Sequence, residues 1–135
     1  MTTHAVRIKT DPDFYAPFKI AQAYRVGDLI FTSGQASIDD DGNIVGIGDF
    51  DAQARQTFKN LERVLQAGGS DLSKIIKLNI YVTDMSQFPA VVALREEYLT
   101  PPYPADTLVE VSSLAFPELE IEIEAVALAE GEIVA

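Results

Sequence analysis

Residues 118–130 read ELEIEIEAVALAE, a run in which acidic and apolar side chains alternate at every second position. Neighbouring residues of a β-strand point to opposite faces of a sheet, so this period predicts a strand over 119–129. One face would carry four carboxylates and the other three aliphatic side chains: Glu118, Glu120, Glu122 and Glu124 against Leu119, Ile121 and Ile123. Carboxylates in a row repel one another when they are exposed and unpaired. We therefore interpret Glu118 and Glu120 as solvated, and we expect Glu122 to form part of a pocket wall.

Five further strands are predicted from apolar runs bounded by turn residues. They lie at residues 4–9, 20–26, 29–36, 75–83 and 106–112. Gly27-Asp28 is a two-residue hairpin signal between the second and third of them. Within 75–83, alternation predicts that one face carries the aliphatic side chains Ile76, Leu78, Ile80 and Val82.

Two helices separate these strands. The first is predicted from an apolar stripe with helical spacing: Ala54, Phe58, Leu61 and Leu65. Asp49 or Asp51 would cap its start, and Gly68-Gly69 would end it. The second is predicted from about 86 to 99, where Pro101-Pro102 stops it. Its inward side is predicted to be Phe88, Val91, Val92, Arg95, Tyr98 and Leu99.

This order of elements indicates an α+β fold in one domain, residues 1–135, with a mostly antiparallel six-stranded sheet and two helices packed on one face. Two helices can cover only that face of the sheet. Strands such as LIFTSG, residues 29–34, carry apolar residues on both faces, so the second face needs a cover as well. A closed ring of identical subunits would supply it.

Composition excludes several classes of function. The net charge of −11 disfavours nucleic-acid binding, which needs a cluster of basic residues. The chain has no cysteine and one histidine, His4, so no transition-metal site and no cofactor are expected. No apolar run approaches the length of a membrane span, and the N-terminal residues lack the pattern of a signal peptide. We therefore expect a cytoplasmic protein with no membrane partner.

Five segments in register resemble the Rid/YjgF family. They are FTSGQ (31–35), AGGS (67–70), NIYVTDM (79–85), YPADTLVEV (103–111) and EIEIEAVA (120–127). The resemblance covers nearly the whole chain and implies a chorismate-mutase-like protomer. It also implies a homotrimer with a central barrel and small-molecule ligands bound in clefts between subunits. RidA-like members of the family are deaminases that hydrolyse reactive enamines and imines to a keto acid and ammonia.

The sequence departs from the family pattern at the position of the arginine that grips the substrate carboxylate. The family's Pro-Ala-Arg motif is Pro104-Ala105-Asp106 here. Three further family positions, usually tyrosine, asparagine and cysteine, align with Ile20, Val92 and Leu108, which implies a more apolar pocket. The resemblance retains Ser33 and Gly34 as ligand-binding residues, Phe88 as an apolar wall and Glu122 as the group that orients the attacking water.

Asp106 reverses the sign of the charge at the anion-binding position, so ordinary 2-imino acids should be rejected. One hypothesis pairs Asp106 with Glu122 across an apolar space, where two carboxylates would serve as acid and base. Alternatively, Asp106 has a structural role, either as an acceptor of backbone N–H groups in a turn or as a partner of Arg25 or Arg95. A further possibility is that Arg95 enters the pocket and replaces the missing cation.

Two functions remain in contention. The first is a divergent hydrolase or deaminase that acts on a small neutral or cationic imine or enamine. Its catalytic residue would be Glu122, with Ser33, Gly34 and Asp106 binding the substrate. The alternative is a non-catalytic trimer that binds a small metabolite in the same clefts. An interaction protein that uses an acidic trimer surface is a third reading.

Overall fold

The computed structural model describes residues 2–135, which form one six-stranded sheet with strand order β1-β2-β3-β6-β4-β5. The strands are β1 (Ala5–Ile8), β2 (Ala23–Val26), β3 (Leu29–Thr32), β4 (Ile75–Val82), β5 (Ala105–Glu110) and β6 (Ile121–Leu128). The helices are α1 (Phe50–Ala67) and α2 (Phe88–Tyr98), and both contribute side chains to a single core. The predicted α+β class is therefore confirmed. No helix in this described part of the chain is long and apolar enough to cross a membrane.

Strand β6 lies in the middle of the sheet, between β3 and β4. All strand pairs are antiparallel except β4 with β5, which are parallel because α2 carries the chain back across the sheet. The alternation predicted for residues 119–129 is confirmed, although the strand itself begins at Ile121. Its odd-numbered residues are buried and its even-numbered residues, which include Glu122 and Glu124, are partly exposed on the other face.

Helix α1 has the predicted apolar stripe and the predicted ends. Ala54, Phe58, Leu61 and Leu65 are all buried in the core. The side chain of Asp49 accepts a hydrogen bond from the backbone N–H of Ala52 at 3.1 Å, which satisfies one free donor of the first turn. At the other end, Gly68 follows the last helical residue and its N–H bonds to carbonyls of the final turn.

Two details of the predicted faces were wrong. A β-bulge at the start of β4 buries Ile75 and leaves Ile76 partly exposed, because the extra residue shifts the alternation by one position. In α2, Phe88 and Val92 lie outward with 49% and 44% of their surface exposed, whereas Val91 and Leu94 point inward. The inward stripe of α2 is therefore narrower than the sequence indicates.

Residues after β3 leave the sheet earlier than predicted. The strand ends at Thr32, and only Gln35 returns to pair with Ile123 through two backbone hydrogen bonds. The buried side-chain amide of Asn60 on α1 donates to the carbonyls of Ala36 and Ile38 at 2.9 and 2.8 Å. Residues 33–38 are thereby held against both the sheet and the helix.

The face of the sheet opposite the helices carries exposed apolar side chains. By strand register, Tyr24, Phe31 and Val109 lie on this face, with 42%, 45% and 39% of their surface exposed. Adjacent exposed apolar groups of this kind are typical of an interaction surface. The expectation of a ring of subunits that covers this face stays a prediction.

We predict that Asn60→Ala lowers the free energy of unfolding by about 2–4 kcal/mol, because two buried carbonyls lose their donor. Urea denaturation monitored by circular dichroism measures the change. Lys59→Ala, at the neighbouring exposed position of α1, is the matched control and should change stability by less than about 0.5 kcal/mol. Equal effects of the two substitutions would contradict the role assigned to Asn60.

Candidate functional site

Five of the predicted site residues lie in two separate clefts of the single chain. We call the first the carboxylate cleft; it has a volume of about 300 Å³ and its walls include Tyr15, Phe18, Ile20, Gly34, Phe116 and Glu122. We call the second the ion-pair cleft; it has a volume of about 470 Å³ and is lined by Val92, Arg95, Glu96, Tyr103, Pro104 and Asp106. Of the predicted residues, Ile20, Gly34 and Glu122 belong to the first cleft, and Val92 and Asp106 to the second.

The carboxylate of Glu122 packs directly against the backbone of Gly34. A β-carbon at position 34 would lie 2.7 Å from both Cδ and Oε2 of Glu122, which is closer than non-bonded atoms approach. Any side chain at position 34 would therefore force the Glu122 carboxylate to move, and glycine leaves it room to stay. Because Gly34 follows β3 and Glu122 lies on β6, the pairing of these two strands holds the carboxylate at the floor of the cleft.

Neighbouring polar groups of this cleft are occupied by internal hydrogen bonds. The hydroxyl of the buried Tyr15 donates to the carbonyl of Gly34. The hydroxyl of Ser33 donates to the carbonyl of Ala21 at 2.5 Å, and Ser33 does not line the cleft. The ligand-binding roles predicted for Ser33 and Gly34 stay predictions, and a ligand would compete with these bonds.

Glu122 is the single charged side chain among the lining residues of the carboxylate cleft. Within residues 2–135, its carboxylate takes part in none of the side-chain hydrogen bonds, whereas the adjacent Glu124 accepts one from the hydroxyl of Tyr81. Burial raises the pKa of Glu122 above its ordinary value, and the negative charge of Glu124 raises that pKa further. The pKa of Tyr15 is also raised, by burial first and then by the charge of Glu122.

In the ion-pair cleft, the guanidinium of Arg95 binds both oxygens of Asp106. Nε donates to Oδ2 at 3.0 Å and Nη2 donates to Oδ1 at 2.9 Å, so the pair is bidentate. Only 24% and 15% of the two side chains are exposed. The alternative in which Asp106 pairs with Arg95 is therefore confirmed. The alternative with Arg25 is wrong, because Arg25 instead binds Glu130 and the carbonyl of Gly27.

The hypothesis that Asp106 and Glu122 form a carboxylate pair is wrong for a single chain. Asp106 lies opposite Leu78 in the sheet, whereas Glu122 lies opposite Tyr81. Leu78 and Tyr81 are three residues apart on β4 and therefore point to opposite faces. Asp106 faces the helices, where Arg95 of α2 reaches it, and Glu122 faces the other side of the sheet.

Besides Ser33, two further predicted site residues line neither cleft. Leu108 packs partly buried against the hydrophobic core, and Phe88 lies exposed at the start of α2. The apolar wall is formed instead by residues that sequence reasoning missed. Phe18, on the short turn Ala16–Phe18, meets Phe116 edge to face with ring centroids 5.9 Å apart. Local spacing could not reveal this contact, because tertiary structure joins two segments that are distant in the sequence.

No group of His, Cys, Asp or Glu side chains within residues 2–135 is arranged to hold a metal ion. The carboxylate cleft offers one partly desolvated carboxylate, that of Glu122. Such a group can accept a proton from water or bind a hydrogen-bond donor of a ligand.

Comparison with known proteins gives consistent matches along most of the chain. The family model described as endoribonuclease L-PSP matches residues 10–129. A relative named protein mmf2, mitochondrial, from Schizosaccharomyces pombe is 42% identical over 108 residues, which cover 78% of this chain and 84% of the relative. A 2-iminobutanoate/2-iminopropanoate deaminase from Salmonella typhimurium is 34% identical over 110 residues, covering 79% and 84%.

Solved structures of other proteins also match most of the chain. The crystal structure of RidA from an Antarctic Psychrobacter bacterium superimposes with a TM-score of 0.83 at 32% sequence identity. The superposition covers 90% of this chain and 98% of that one.

We predict that Glu122→Gln stabilises the protein at pH 7.5 and that this gain shrinks as the pH falls towards 4.5. An acid whose pKa is raised by folding binds its proton more tightly in the folded state. The ionised form therefore lowers stability once the pH rises through the window above the ordinary value of 4.5, and glutamine avoids this cost.

Urea denaturation at the two pH values measures this difference. Glu118→Gln, at an exposed position of the same acidic row, is the matched control and should change stability by less than about 0.5 kcal/mol at pH 7.5. A Glu122→Gln protein that is less stable than the parent at pH 7.5 would contradict the desolvation of this carboxylate.

Proposed function

The chain belongs to the Rid/YjgF proteins of the endoribonuclease L-PSP family, and from that membership we propose that it hydrolyses the C=N bond of a small neutral or cationic imine or enamine. The observation that carries this proposal is the Glu122 carboxylate, which is half-buried against Gly34 and receives no hydrogen bond from the rest of the described chain. A carboxylate in this state has both oxygens available for a water molecule or a substrate N–H group.

The proposed reaction needs one base and one water molecule. Glu122 takes a proton from water while the water oxygen bonds to the imine carbon, and the C=N π electrons move to nitrogen. The proton held by Glu122 passes to that nitrogen and gives a carbinolamine. Glu122 then transfers the proton of the carbinolamine hydroxyl to the nitrogen, the C–N bond breaks, and ammonia leaves as the carbonyl forms. The sum is imine plus water to carbonyl compound plus ammonia, and an enamine enters after tautomerising to its imine. A raised pKa of Glu122 suits both steps, because the group must accept and return a proton near neutral pH.

We further propose that the active protein is a homotrimer whose sites lie between subunits. The two clefts of one chain are on opposite faces of its sheet, so a single copy cannot close them into one site. A neighbouring copy that covers the exposed face around Phe31 could bring its own ion-pair cleft towards Glu122. This assembly supplies the boundary that excludes water from the site.

The charges of the ion-pair cleft support a substrate without a carboxylate. Arg95, Glu96 and Asp106 line the cleft, and their formal charges sum to −1. Arg95 already donates hydrogen bonds from Nε and Nη2 to Asp106, so the carboxylate compensates the positive charge of the guanidinium. The deaminase from Salmonella typhimurium is named for 2-imino acids, which carry a carboxylate. An anion that approached this ion pair would meet Asp106 beside Arg95, which cancels most of the attraction.

The alternative function is binding of a small metabolite without turnover. It is favoured by the hydrogen bonds that occupy the Gly34 carbonyl and the Ser33 hydroxyl. With these groups engaged, fewer polar contacts remain to orient a substrate for attack. A nuclease function, which the description of the family names, is disfavoured by the net charge of −11, because RNA carries one negative charge per phosphate. We propose the cytoplasm as its location.

The test uses two imines that differ only by a carboxylate. An amine oxidase forms the neutral imine from propylamine, an amino-acid oxidase forms 2-iminobutanoate from 2-aminobutanoate, and competition with semicarbazide reports hydrolysis. We predict that the protein accelerates hydrolysis of the neutral imine only, and that Glu122→Gln lowers the acceleration about a hundredfold, as expected for loss of a general base.

Asp106→Ala is the specificity control, because it releases the Arg95 guanidinium to bind a carboxylate. This variant should gain activity towards 2-iminobutanoate, and adding Arg95→Gln should remove the gain. Rapid hydrolysis of 2-iminobutanoate by the unmodified protein would overturn the proposed specificity. Stabilisation by these ligands in a thermal-shift assay without any hydrolysis would favour the binding function.

A further inference from the structure

We propose that the carboxylate cleft binds the protonated nitrogen of an organic amine or iminium at Glu122 and holds an aromatic or branched alkyl substituent of that ligand between Phe18, Ile20 and Phe116. This inference deepens the proposed function, on which it rests for the reaction, by naming the class of ligand. It depends on the composition of the cleft in one chain, in particular on one unpaired carboxylate among apolar walls.

Only one polar side chain of the cleft lacks a hydrogen-bond partner in the described chain. The Tyr15 hydroxyl donates its single proton to the Gly34 carbonyl, so that donor is already engaged. Glu122 then remains as the polar side chain of the lining that lacks a partner within residues 2–135. A partly desolvated carboxylate is stabilised by a charged N–H donor more than by a neutral one.

No cation of the protein lies against Glu122 in the described chain. The groups that face it are Glu124 on its own strand, Tyr81 on β4 and Tyr15 in the loop before β2. Lys77 lies further along β4 and donates to the hydroxyl of Thr107 at 2.7 Å. The neighbours of Glu122 are therefore negative or neutral, and the missing positive charge is left for a ligand to supply.

The walls select for an apolar substituent. Phe18 and Ile20 have 50% and 49% of their surface exposed at the cleft, and Phe116 meets Phe18 edge to face. Leu119 and Ile38 complete the apolar lining. An edge-to-face pair with one exposed ring offers a third aromatic ring a similar contact. The volume of about 300 Å³ is at the small end for ligand pockets, which suits one ring with a short chain.

The unpaired carboxylate and the apolar walls together discriminate between classes of small molecule. A carboxylate ligand is repelled by Glu122, whereas a small ammonium ion satisfies the charge but leaves the apolar walls hydrated. A neutral alcohol fills the walls but cannot compensate the carboxylate. Only a ligand with both a cationic nitrogen and an apolar group satisfies both parts of the cleft.

Isothermal titration calorimetry of the intact protein with four probes tests the proposal. The probes are phenethylamine, methylamine, 2-phenylethanol and phenylacetate, which separate charge from apolar area. We expect phenethylamine to bind at least about tenfold more tightly than each of the other three, a ratio that corresponds to about 1.4 kcal/mol. Its affinity should fall as the pH is lowered through the pKa of Glu122, because protonation removes the negative charge.

Three variants test which residues determine the affinity for phenethylamine. Glu122→Gln should lower phenethylamine affinity at least tenfold, abolish its pH dependence and leave 2-phenylethanol unchanged. Phe18→Ala should lower the affinity for phenethylamine and leave the affinity for methylamine unchanged. Ile47→Ala removes an exposed apolar side chain outside the cleft and is the matched control, for which no change is expected.

Binding of phenylacetate as tight as that of phenethylamine, or equal binding of methylamine and phenethylamine, would overturn the proposal. Absence of amine binding would overturn it too. These probes contain no C=N bond, so their binding does not depend on catalysis. Imine hydrolysis without amine binding would therefore refute this inference alone, and amine binding without hydrolysis would refute only the proposed reaction.

Discussion

Strand β6 has to bury one face and expose carboxylates on the other, because successive residues of a strand alternate between the two faces of a sheet. Ile121 and Ile123 are fully buried on the helix side, and this burial fixes the register of the strand between β3 and β4. The same register places Glu122 on the opposite face, next to Gly34. Slipping β6 by one residue would bury the acidic row, so the core that stabilises the fold also determines where the site carboxylate lies.

The second cleft depends on a contact between a helix and the adjacent edge strand. Asp106 lies on the helix-facing side of β5, and Arg95 on α2 is close enough to bind both of its oxygens. The charge of Asp106 is therefore compensated within the chain. Arg95 neutralises this carboxylate before a ligand meets it, so the cleft lacks the strong attraction for anions that an unpaired arginine would provide. Helix α2 also leaves Phe88 and Val92 exposed on its outer side.

Sequence reasoning predicted what depends on periodicity and local signals. The alternation of β6, the apolar stripe of α1 and the cap at Asp49 have short-range causes, and the structure contains all three. The bulge at Ile75 depends on how β4 meets β6, which no local pattern encodes. The role of Tyr15 was missed for a similar reason, since its hydroxyl meets Gly34 only after residues 11–19 fold back over the sheet. Phe18 and Phe116 are likewise brought together by two loops, and family alignment of individual motifs does not include either of them.

The half-buried carboxylate of Glu122, which accepts no side-chain hydrogen bond, destabilises the folded state. Water is partly removed from it, and no group of the described chain replaces that water. Replacing Glu122 with glutamine would remove this destabilisation, because glutamine has nearly the same shape as glutamate and no charge. Internal hydrogen bonds satisfy every other polar group discussed in this cleft, and Gly34 leaves room for the carboxylate that any larger residue would displace. A neutral site would be easier to pack and more stable. The proposed proton transfer and the proposed cationic ligand would each pair with this charge and offset the loss of hydration.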